Sequence, residues 1–278
     1  MRPLIPLLLA CAALAASGCG SREEPVYDDD IGVQAIPVEE PGGLAGRFAL
    51  AIRVADLVDA PLIGESEGGS MAAYLVERAW DGETYSEVHR HCTGVIEPVA
   101  GNKTFIPDAF RQTVPPSTSH TLSLEDATGA YLVTGHLELW GLRDLPDPYE
   151  TPLPATVEEA EAPPHSERIF DMDGDGNPGM TAQIQGFVSG DQYFVQRRVL
   201  GLDGITLGPD RLIGLVDNKS EKTSIGGSNR VLAAQNEVTP DPNPLLTWFD
   251  QLRIADEAGC EAVKALVADE ALGFDRPF

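Results

Sequence analysis

The chain contains few basic residues. Its 278 residues include 19 lysines and arginines against 44 aspartates and glutamates, which gives a formal net charge of -25. A surface with this charge repels polyanions, so nucleic acid is excluded as a partner and anionic lipid headgroups are disfavoured. The favourable partners are cations, which include divalent ions and basic proteins. The same charge also serves solubility without any partner.

Long apolar runs are scarce, and the most marked one lies at the N-terminus. Arg2 precedes an apolar run from Leu4 to Ala15, and small residues follow that run. A membrane-spanning helix needs about 20 apolar residues, and this run is shorter. The charged start, the apolar centre and the small residues at the end are typical of a secretory signal peptide, which we predict over residues 1–18.

The end of this segment, Ala16-Ser17-Gly18-Cys19, resembles the lipobox of bacterial lipoproteins. In that family the cysteine is acylated, with palmitate among its acyl chains, and becomes the new N-terminus. The family usually has leucine where Ala16 stands. The resemblance implies a lipid anchor at Cys19, and Gly20 in place of Asp implies the outer membrane, facing the periplasm or the cell surface. The alternative is an ordinary signal peptide in which Cys19 is incidental.

Cysteine is also scarce, with four residues in the whole chain. Cys11 leaves with the signal peptide and Cys19 is assigned to the lipid, so Cys92 and Cys260 remain. Two thiols outside the cytoplasm favour a disulfide between Cys92 and Cys260, which would join the first half of the fold to its last element. Two isolated buried thiols and a metal-binding pair are the alternatives.

The rest of the chain divides into a tether and a β-rich region. Residues 19–43 are rich in Asp, Glu, Pro and Gly, which predicts an acidic, solvated tether. Short runs of Val, Ile, Tyr, Phe and Thr follow and predict strands. These strands are 46–55, 71–80, 84–92, 119–123, 129–140, 180–188, 192–200, 211–217, 229–235 and 245–254. The segment 258–269 predicts a helix, and we expect 44–278 to form a single mainly β domain with an irregular connection over 143–169.

The predicted fold class is therefore all-β, an antiparallel β-barrel or sandwich with one C-terminal helix. Gly46-Arg47-Phe48 at the start of the first strand resembles the opening of lipocalin-like barrels. The number of strands followed by one late helix is similar to the lipocalin arrangement. A sandwich explains the same strand count, so both architectures remain open.

The sharpest internal motif is D-M-D-G-D-G-N-P-G, which starts at Asp171. Oxygen ligands at every second position, with glycine at the sixth, suit a loop that wraps a calcium ion. The motif resembles the D-x-D-x-D-G loops of EF-hand and dockerin proteins. That resemblance implies side-chain ligands from Asp171, Asp173 and Asp175 and a backbone carbonyl from Asn177. Because position twelve is Ala182 instead of Glu and no helix flanks the loop, we predict a structural calcium site outside the EF-hand class, with a hydrogen-bonded Asp/Gly turn as the alternative.

Two weaker patterns bear on catalysis. Gly64-Glu65-Ser66-Glu67-Gly68 matches the nucleophile-elbow pattern G-x-S-x-G, but no alternation of strands and helices surrounds it, so we expect an acidic turn. Glu87, His89 and His91 alternate along one predicted strand, which suits two zinc ligands or a solvated strand face. The remaining histidines, which form no recognisable catalytic set with Ser66, are His120, His136 and His165.

Together these observations predict a lipid-anchored, non-catalytic binding or scaffold protein of the outer membrane with a structural calcium loop. The whole chain resembles bacterial lipoproteins that combine a lipobox, short strands and a D-x-D-G-D-G loop, which implies placement and fold but no activity. The expected partners are the membrane, through acylated Cys19, and either a small lipophilic ligand in the barrel interior or a basic protein. A serine or metal-dependent hydrolase and an acidic structural envelope protein are the alternatives.

Overall fold

The computed structural model describes residues 30–60, 64–117, 121–234 and 237–272. The signal peptide, Cys19, the start of the tether and His120 lie outside these residues. The strands are β1 (Gly46–Ala60), β2 (Gly64–Trp80), β3 (Tyr85–Ile96), β4 (Lys103–Phe105), β5 (Thr121–Leu124), β6 (Ala130–Trp140), β7 (Met180–Gln185), β8 (Gly190–Thr206), β9 (Arg211–Asn218), β10 (Glu221–Gly227), β11 (Glu237–Pro240) and β12 (Trp248–Ile254). The helices are α1 (Asp108–Arg111), α2 (Val157–Glu161), α3 (His165–Arg168) and α4 (Cys260–Ala268), and a 3-10 turn covers Pro244–Leu246.

The strands form one antiparallel sheet in the order β3-β2-β1-β12-β9-β8-β6-β5. The long strands β1 and β8 hold it together because each changes partners along its length. After Arg53, β1 exchanges β12 for β11. The first half of β8 pairs with β7 and β10, and its second half pairs with β6 and β9. The first half of β8, together with β10, β7 and β4, therefore extends the sheet beyond its main path.

The sheet curls until its two ends meet. His89 in β3 and Ser117, just before β5, form an antiparallel bridge with hydrogen bonds of 3.2 and 3.0 Å. Phe48 of β1, Tyr131 of β6 and Leu212 of β9 pack in the same buried cluster although their strands are far apart in the sheet order. The prediction of an all-β antiparallel fold is confirmed, and the single curled sheet encloses one interior.

The first strand shows how the sequence produces this interior. Phe48, Leu50 and Ile52 point inward, whereas Ala49 and Ala51 point outward, because successive side chains of a strand alternate between faces. The large inward side chains fill the core. The small outward ones let helix α4 approach the sheet closely, so β1 is buried on both faces.

Helix α4 was predicted at 258–269 and is observed at Cys260–Ala268. Its Val263 is completely buried against the outer face of the sheet. Cys92 of β3 and Cys260 form a disulfide with their Cα atoms 5.1 Å apart. The predicted disulfide is confirmed, and it attaches the last helix to the outside of the curled sheet.

Two segments differ from the sequence-based expectation. The predicted strand 229–235 is a turn in its described part, because Asn229 Oδ1 accepts hydrogen bonds from the amides of Val231 and Leu232, both at 3.1 Å. The strand of this region is β10, which ends just before that turn. The expected acidic turn around Ser66 is instead the first part of β2, where Ser66 pairs with Val58 of β1.

The chain joins the sheet before the predicted end of the tether at residue 43. The amide of Ile36 donates to the carbonyl of Thr206 at 2.9 Å, and Val38 is buried in the core. Val38 within this acidic segment favours the difference, because its burial removes apolar surface from water.

The irregular connection over 143–169 contains α2 and α3. Leu153 and Ala160 pack there against Val195 of β8 and Ile225 of β10, so the connection covers the outer face of those strands. None of the helices among the described residues is long and apolar enough to cross a membrane.

Candidate ligand cavity and metal loop

A cavity of about 550 Å³ lies at one end of the curled sheet. The ends of β1 and β2 form one side of it, and β4, β7, the first half of β8, β10 and β11 form the rest. Its apolar lining includes Val54, Val58, Ile96, Ile106, Ile184 and Phe194. Small-molecule sites typically have volumes of about 300–1,000 Å³ and mostly apolar walls. The cavity therefore has the size and lining of a ligand site.

The rim of this cavity is apolar as well. Phe187, in the turn between β7 and β8, is 90% exposed and lines the cavity, and so do the exposed side chains of Val231 and Val238. A single exposed apolar side chain needs no explanation, but several of them around one opening indicate an interaction site. A ligand that entered here would pass apolar groups before it reached the polar ones.

Lys222 of β10 is the cavity's distinctive polar group. Its Nζ donates a hydrogen bond to Gln192 Oε1 at 3.3 Å and lies 4.5 Å from the centre of the Phe194 ring. Gln192 Nε2 donates to the carbonyl of Leu232 at 3.1 Å, which turns the amide oxygen toward Lys222. Lys222 as a whole is solvent-exposed at the cavity, but desolvation of its amine by the surrounding protein lowers its pKa to about 8.

The other charged groups of the cavity have charged neighbours. Glu221 points away from Lys222 and lies 2.5 Å from Arg197 Nη2. Arg198, at the cavity floor, lies 3.4 Å from the Glu138 carboxylate and also donates to the Tyr74 hydroxyl at 2.5 Å. Burial raises the pKa of Asp56 to about 6, although the charges of Arg198 and Arg53 oppose that shift. Lys222 is therefore the cation of this cavity that has no carboxylate partner among the described residues.

Below the cavity, the interior holds a first Arg–Glu–His set. Arg78 Nε donates to Glu87 Oε1 at 2.5 Å, and Glu87 Oε2 lies 2.7 Å from His89 Nε2. Tyr131 also donates to Glu87 Oε2, at 3.1 Å. Burial opposes ionisation of this carboxyl, but Arg78 and His89 hold the pKa of Glu87 well below its usual range. Glu87 is thus a buried carboxylate whose charge is compensated.

A second set faces the first across the interior. Arg198 Nη1 donates to Glu138 Oε2 at 3.4 Å, and His136 Nε2 lies 3.6 Å from Glu138 Oε1. The rings of His136 and His89 have their centres 4.6 Å apart. Burial again opposes ionisation, but His136 and Arg198 hold the pKa of Glu138 well below its usual range. Burial also lowers the pKa of His136, which favours its neutral form.

His91 completes this interior without a polar partner. Neither of its ring nitrogens has a hydrogen-bond partner among the described residues, and its ring packs between Tyr74 and Trp140, with centres 4.7 and 5.5 Å away. Burial lowers the pKa of His91 to about 3, so the ring is neutral at pH 7.

The structure therefore places Glu87, His89 and His91 on one strand face, as their spacing predicts, but that face is the buried interior. The alternative of a solvated face is wrong, and no zinc centre forms from these residues among those described. His136 was not linked to them from the sequence. Its spacing to Glu138 repeats the spacing of His89 to Glu87, but only the folded sheet brings the two pairs together.

Ser66 is not in the position of a nucleophile elbow. That motif places its serine on a sharp turn from a strand into a helix. Ser66 lies inside the β1–β2 hairpin, and β2 continues from it to Trp80.

The acidic loop brings its three aspartates together after α3. Ligand atoms of Asp171, Asp173 and Asp175 lie within 4.8 Å of one another. Asp171 accepts hydrogen bonds from the backbone amides of the following glycines, and Asp175 Oδ2 accepts from Thr181 Oγ1 at 2.6 Å. Asn177 donates its backbone amide to Asp175 Oδ1 at 2.8 Å. The hydrogen-bonded Asp/Gly turn expected as an alternative is thus present in the loop.

One carboxylate oxygen is left out of this network. Asp173 Oδ2 accepts from the amide of Thr181 at 2.7 Å, whereas Asp173 Oδ1 is buried without a hydrogen-bond partner among the described residues. Burial raises the pKa of Asp173, and the charge of Asp175 adds to that shift. A cation between the three carboxylates would pair with the buried oxygen, so the cluster could hold a metal ion. The buried Ala182 supplies no side-chain ligand.

The loop is pressed against the sheet beside the cavity wall. Gly179 has a φ of +83°, and a Cβ there would lie 2.4 Å from the carbonyl oxygen of Phe194, so only glycine fits. The next residues form β7, which contributes Ile184 to the cavity.

No known family model, curated protein or solved structure matches this chain.

Proposed function

We propose that this chain is a lipid-anchored, non-catalytic binding protein of the outer membrane. Its cavity takes a small lipophilic molecule, and its acidic loop holds a structural calcium ion. The observation that carries the proposal is the cavity of about 550 Å³, with its apolar wall and apolar rim.

The distribution of polar groups supports a lipophilic ligand. Of the two Arg–Glu–His sets, Arg198 reaches the cavity floor and the other members lie below it. Their charges compensate one another, and most of the wall above the floor is apolar. Removal of apolar surface from water stabilises a complex by about 25 cal/mol per Å², so a mostly apolar molecule gains the most here. The groups that suggested catalysis lie elsewhere, with Ser66 in the hairpin and His89 in the core.

The position of the acidic loop supports a structural role for calcium. Thr181, at the start of β7, hydrogen-bonds to Asp173 through its amide and to Asp175 through its hydroxyl. A calcium ion bound by Asp171, Asp173 and Asp175 would neutralise their mutual repulsion and hold the start of β7 in place. Because β7 forms part of the cavity wall, the ion would also keep the ligand site in shape.

The lipid anchor is proposed from the sequence alone. The lipobox-like Ala16-Ser17-Gly18-Cys19 precedes an acidic segment that would separate the domain from the membrane. Acylated Cys19 would thus keep the cavity close to a source of lipophilic molecules.

The proposal is tested by native mass spectrometry of the purified full-length chain, combined with solvent extraction and analysis of the extract. The wild type should carry a lipophilic adduct. Ser70→Trp, which places a large side chain in the cavity wall, should abolish it. Ser86→Trp is the matched control, because Ser86 lies on an exposed position of β3. A bare protein mass in all three samples would overturn the proposal and favour the acidic structural envelope protein.

A further inference from the structure

The cavity contains a positive charge that the protein itself does not neutralise. Glu221, the neighbour of Lys222 in the chain, also lines the cavity, but its carboxylate pairs with Arg197 instead. The partners of the Lys222 amine are the neutral Gln192 and the ring of Phe194. This is unusual in a chain with 44 acidic residues.

The amine also has unused hydrogen-bonding capacity. A lysine ammonium has three N–H donors, and Gln192 Oε1 accepts one of them. Because Gln192 is held by the carbonyl of Leu232, the amine is positioned even without a ligand. When a ligand displaces water from this amine, the charge needs a countercharge and hydrogen bonds to remain stable. The two remaining donors and the missing negative charge could both be supplied by one acidic group.

The negative charge of the whole chain does not prevent this pairing. Charges separated by more than about 8 Å are largely screened at physiological ionic strength, so the groups inside the cavity decide. Those groups are Asp56 on β1, Arg198 on β8 and Glu221 and Lys222 on β10. Arg198 and Arg53 both attract Asp56, and Arg197 pairs with Glu221, so Lys222 remains for the ligand.

We propose that the ligand is an amphipathic carboxylic acid, whose head group pairs with Lys222 Nζ while its apolar chain lies against the cavity wall. This inference rests on the proposed function, because it names the class of molecule that the same cavity binds. The proposed binding is non-covalent, so no covalent bond forms or breaks.

The test compares a fluorescent polyene fatty acid, cis-parinaric acid, with its methyl ester, which has the same chain without the charge. The wild type should bind the acid at least tenfold more tightly than the ester. Lys222→Gln should lower the affinity for the acid at least tenfold and leave that for the ester unchanged. Lys222→Arg, which keeps the charge, should retain most of the affinity. Lys103→Gln is the matched control, because Lys103 is an exposed lysine of β4 that is not among the residues lining the cavity.

A pH series provides a second readout. Between pH 7 and 9 the affinity of the wild type for the acid should fall roughly tenfold, because Lys222, with its pKa of about 8, loses its charge there. Asp56, with a pKa of about 6, is already ionised in this range and the arginine Arg198 stays charged. The affinity for the ester should not change.

The outcomes separate the two proposals. If neither probe binds, the lipophile-binding function is wrong. If both bind equally, or if Lys222→Gln weakens both to the same extent, the cavity binds lipophiles but the assignment of a carboxylate to Lys222 is wrong. Intact ester binding by Lys222→Gln shows that the variant is folded, so a loss confined to the acid supports the assignment.

Discussion

Charged residues inside the sheet are arranged in compensating pairs. Arg78 and Glu87 are both completely buried and lie in direct contact, whereas Arg47 and Glu77 form a comparable pair at the surface. Burial removes water from the first pair, so each charge depends on the other. In the second pair, water solvates whichever charge is left alone.

Arg78→Met should therefore destabilise the protein strongly. It leaves the Glu87 carboxylate buried without its countercharge, which typically costs about 3–5 kcal/mol. Urea denaturation measures the loss. Arg47→Met is the control and should cost less than about 1 kcal/mol, because its pair is partly exposed and solvated. Similar losses in both variants would contradict this account of the interior.

His91, which has no hydrogen-bond partner among the described residues, makes the stability of the fold depend on pH. The pKa of His91 is about 6.5 in the unfolded chain and about 3 in the fold. Between these values the unfolded state binds the extra proton, so this residue's contribution to stability is present above pH 6.5 and is lost as the pH falls toward 3. The depressed pKa of Glu138 acts in the same direction at still lower pH.

His91→Phe should remove that acid sensitivity. Phenylalanine keeps the ring contacts with Tyr74 and Trp140 and has no proton to gain. Relative to wild type, the variant should become more stable by roughly 2–3 kcal/mol when the pH is lowered from 6.5 to 4.5. Chemical denaturation at both pH values measures this. An offset that does not change with pH would show that His91 is not buried as a neutral ring.

At the scale of elements, the acidic loop and β7 form one unit. Hydrogen bonds from Thr181 connect the aspartates to the start of the strand, and Gly179 presses the loop against β8. A ligand that tightens the loop should therefore stabilise more than the loop itself.

Calcium should raise the melting temperature of the wild type but not of Asp173→Asn. A ligand at 100 times its dissociation constant stabilises the folded state by about 2.7 kcal/mol. Asparagine still accepts the hydrogen bond from Thr181, but it removes one of the three negative charges. Asp203→Asn is the control, because Asp203 is an exposed acid of β8 outside the loop. A calcium shift that survives in Asp173→Asn would place the ion elsewhere, and no shift in the wild type would leave a metal-free turn.

At the scale of the whole molecule, the disulfide connects parts of the chain that are 168 residues apart. Cys92 lies in a strand at one end of the sheet order, and Cys260 begins the last helix. The bond therefore encloses most of the curled sheet within one covalent loop.

Removal of this bond should lower stability substantially. For a loop of this length the chain-entropy treatment predicts about 5 kcal/mol. The double variant Cys92→Ala and Cys260→Ala should thus have a lower urea midpoint than the oxidised wild type, and reduction of the wild type should produce a similar shift. The double variant itself should not respond to a reducing agent. Equal midpoints of oxidised and reduced wild type would show that α4 is held by packing alone.

Several features followed from the sequence because they depend on local chemistry. Apolar alternation indicated most strands, and an apolar face indicated α4. The two cysteines that remain after the predicted signal peptide and lipidated Cys19 indicated the disulfide. The spacing of Asp171, Asp173 and Asp175 indicated that their carboxylates meet, because the residues are neighbours in one short loop. The strands, the helix and the loop depend on residues that lie close together in the chain. The disulfide does not, but only two cysteines were left to form it.

The cavity and the interior network were decided by tertiary structure. Glu87 and His89 meet His136 and Glu138 only because the sheet curls and brings β3 opposite β6. Lys222 lines the cavity only because β10 pairs with β8. The sequence pattern did not predict β10, since it placed the strand of that region at 229–235. A strand pattern specifies which side chains share a face, but it does not specify which strands pair or what a curled face encloses. Sequence alone therefore determined the all-β class, the disulfide and the acidic loop, and the folded sheet decided the cavity and the charge within it, since both depend on strand pairing between distant parts of the chain.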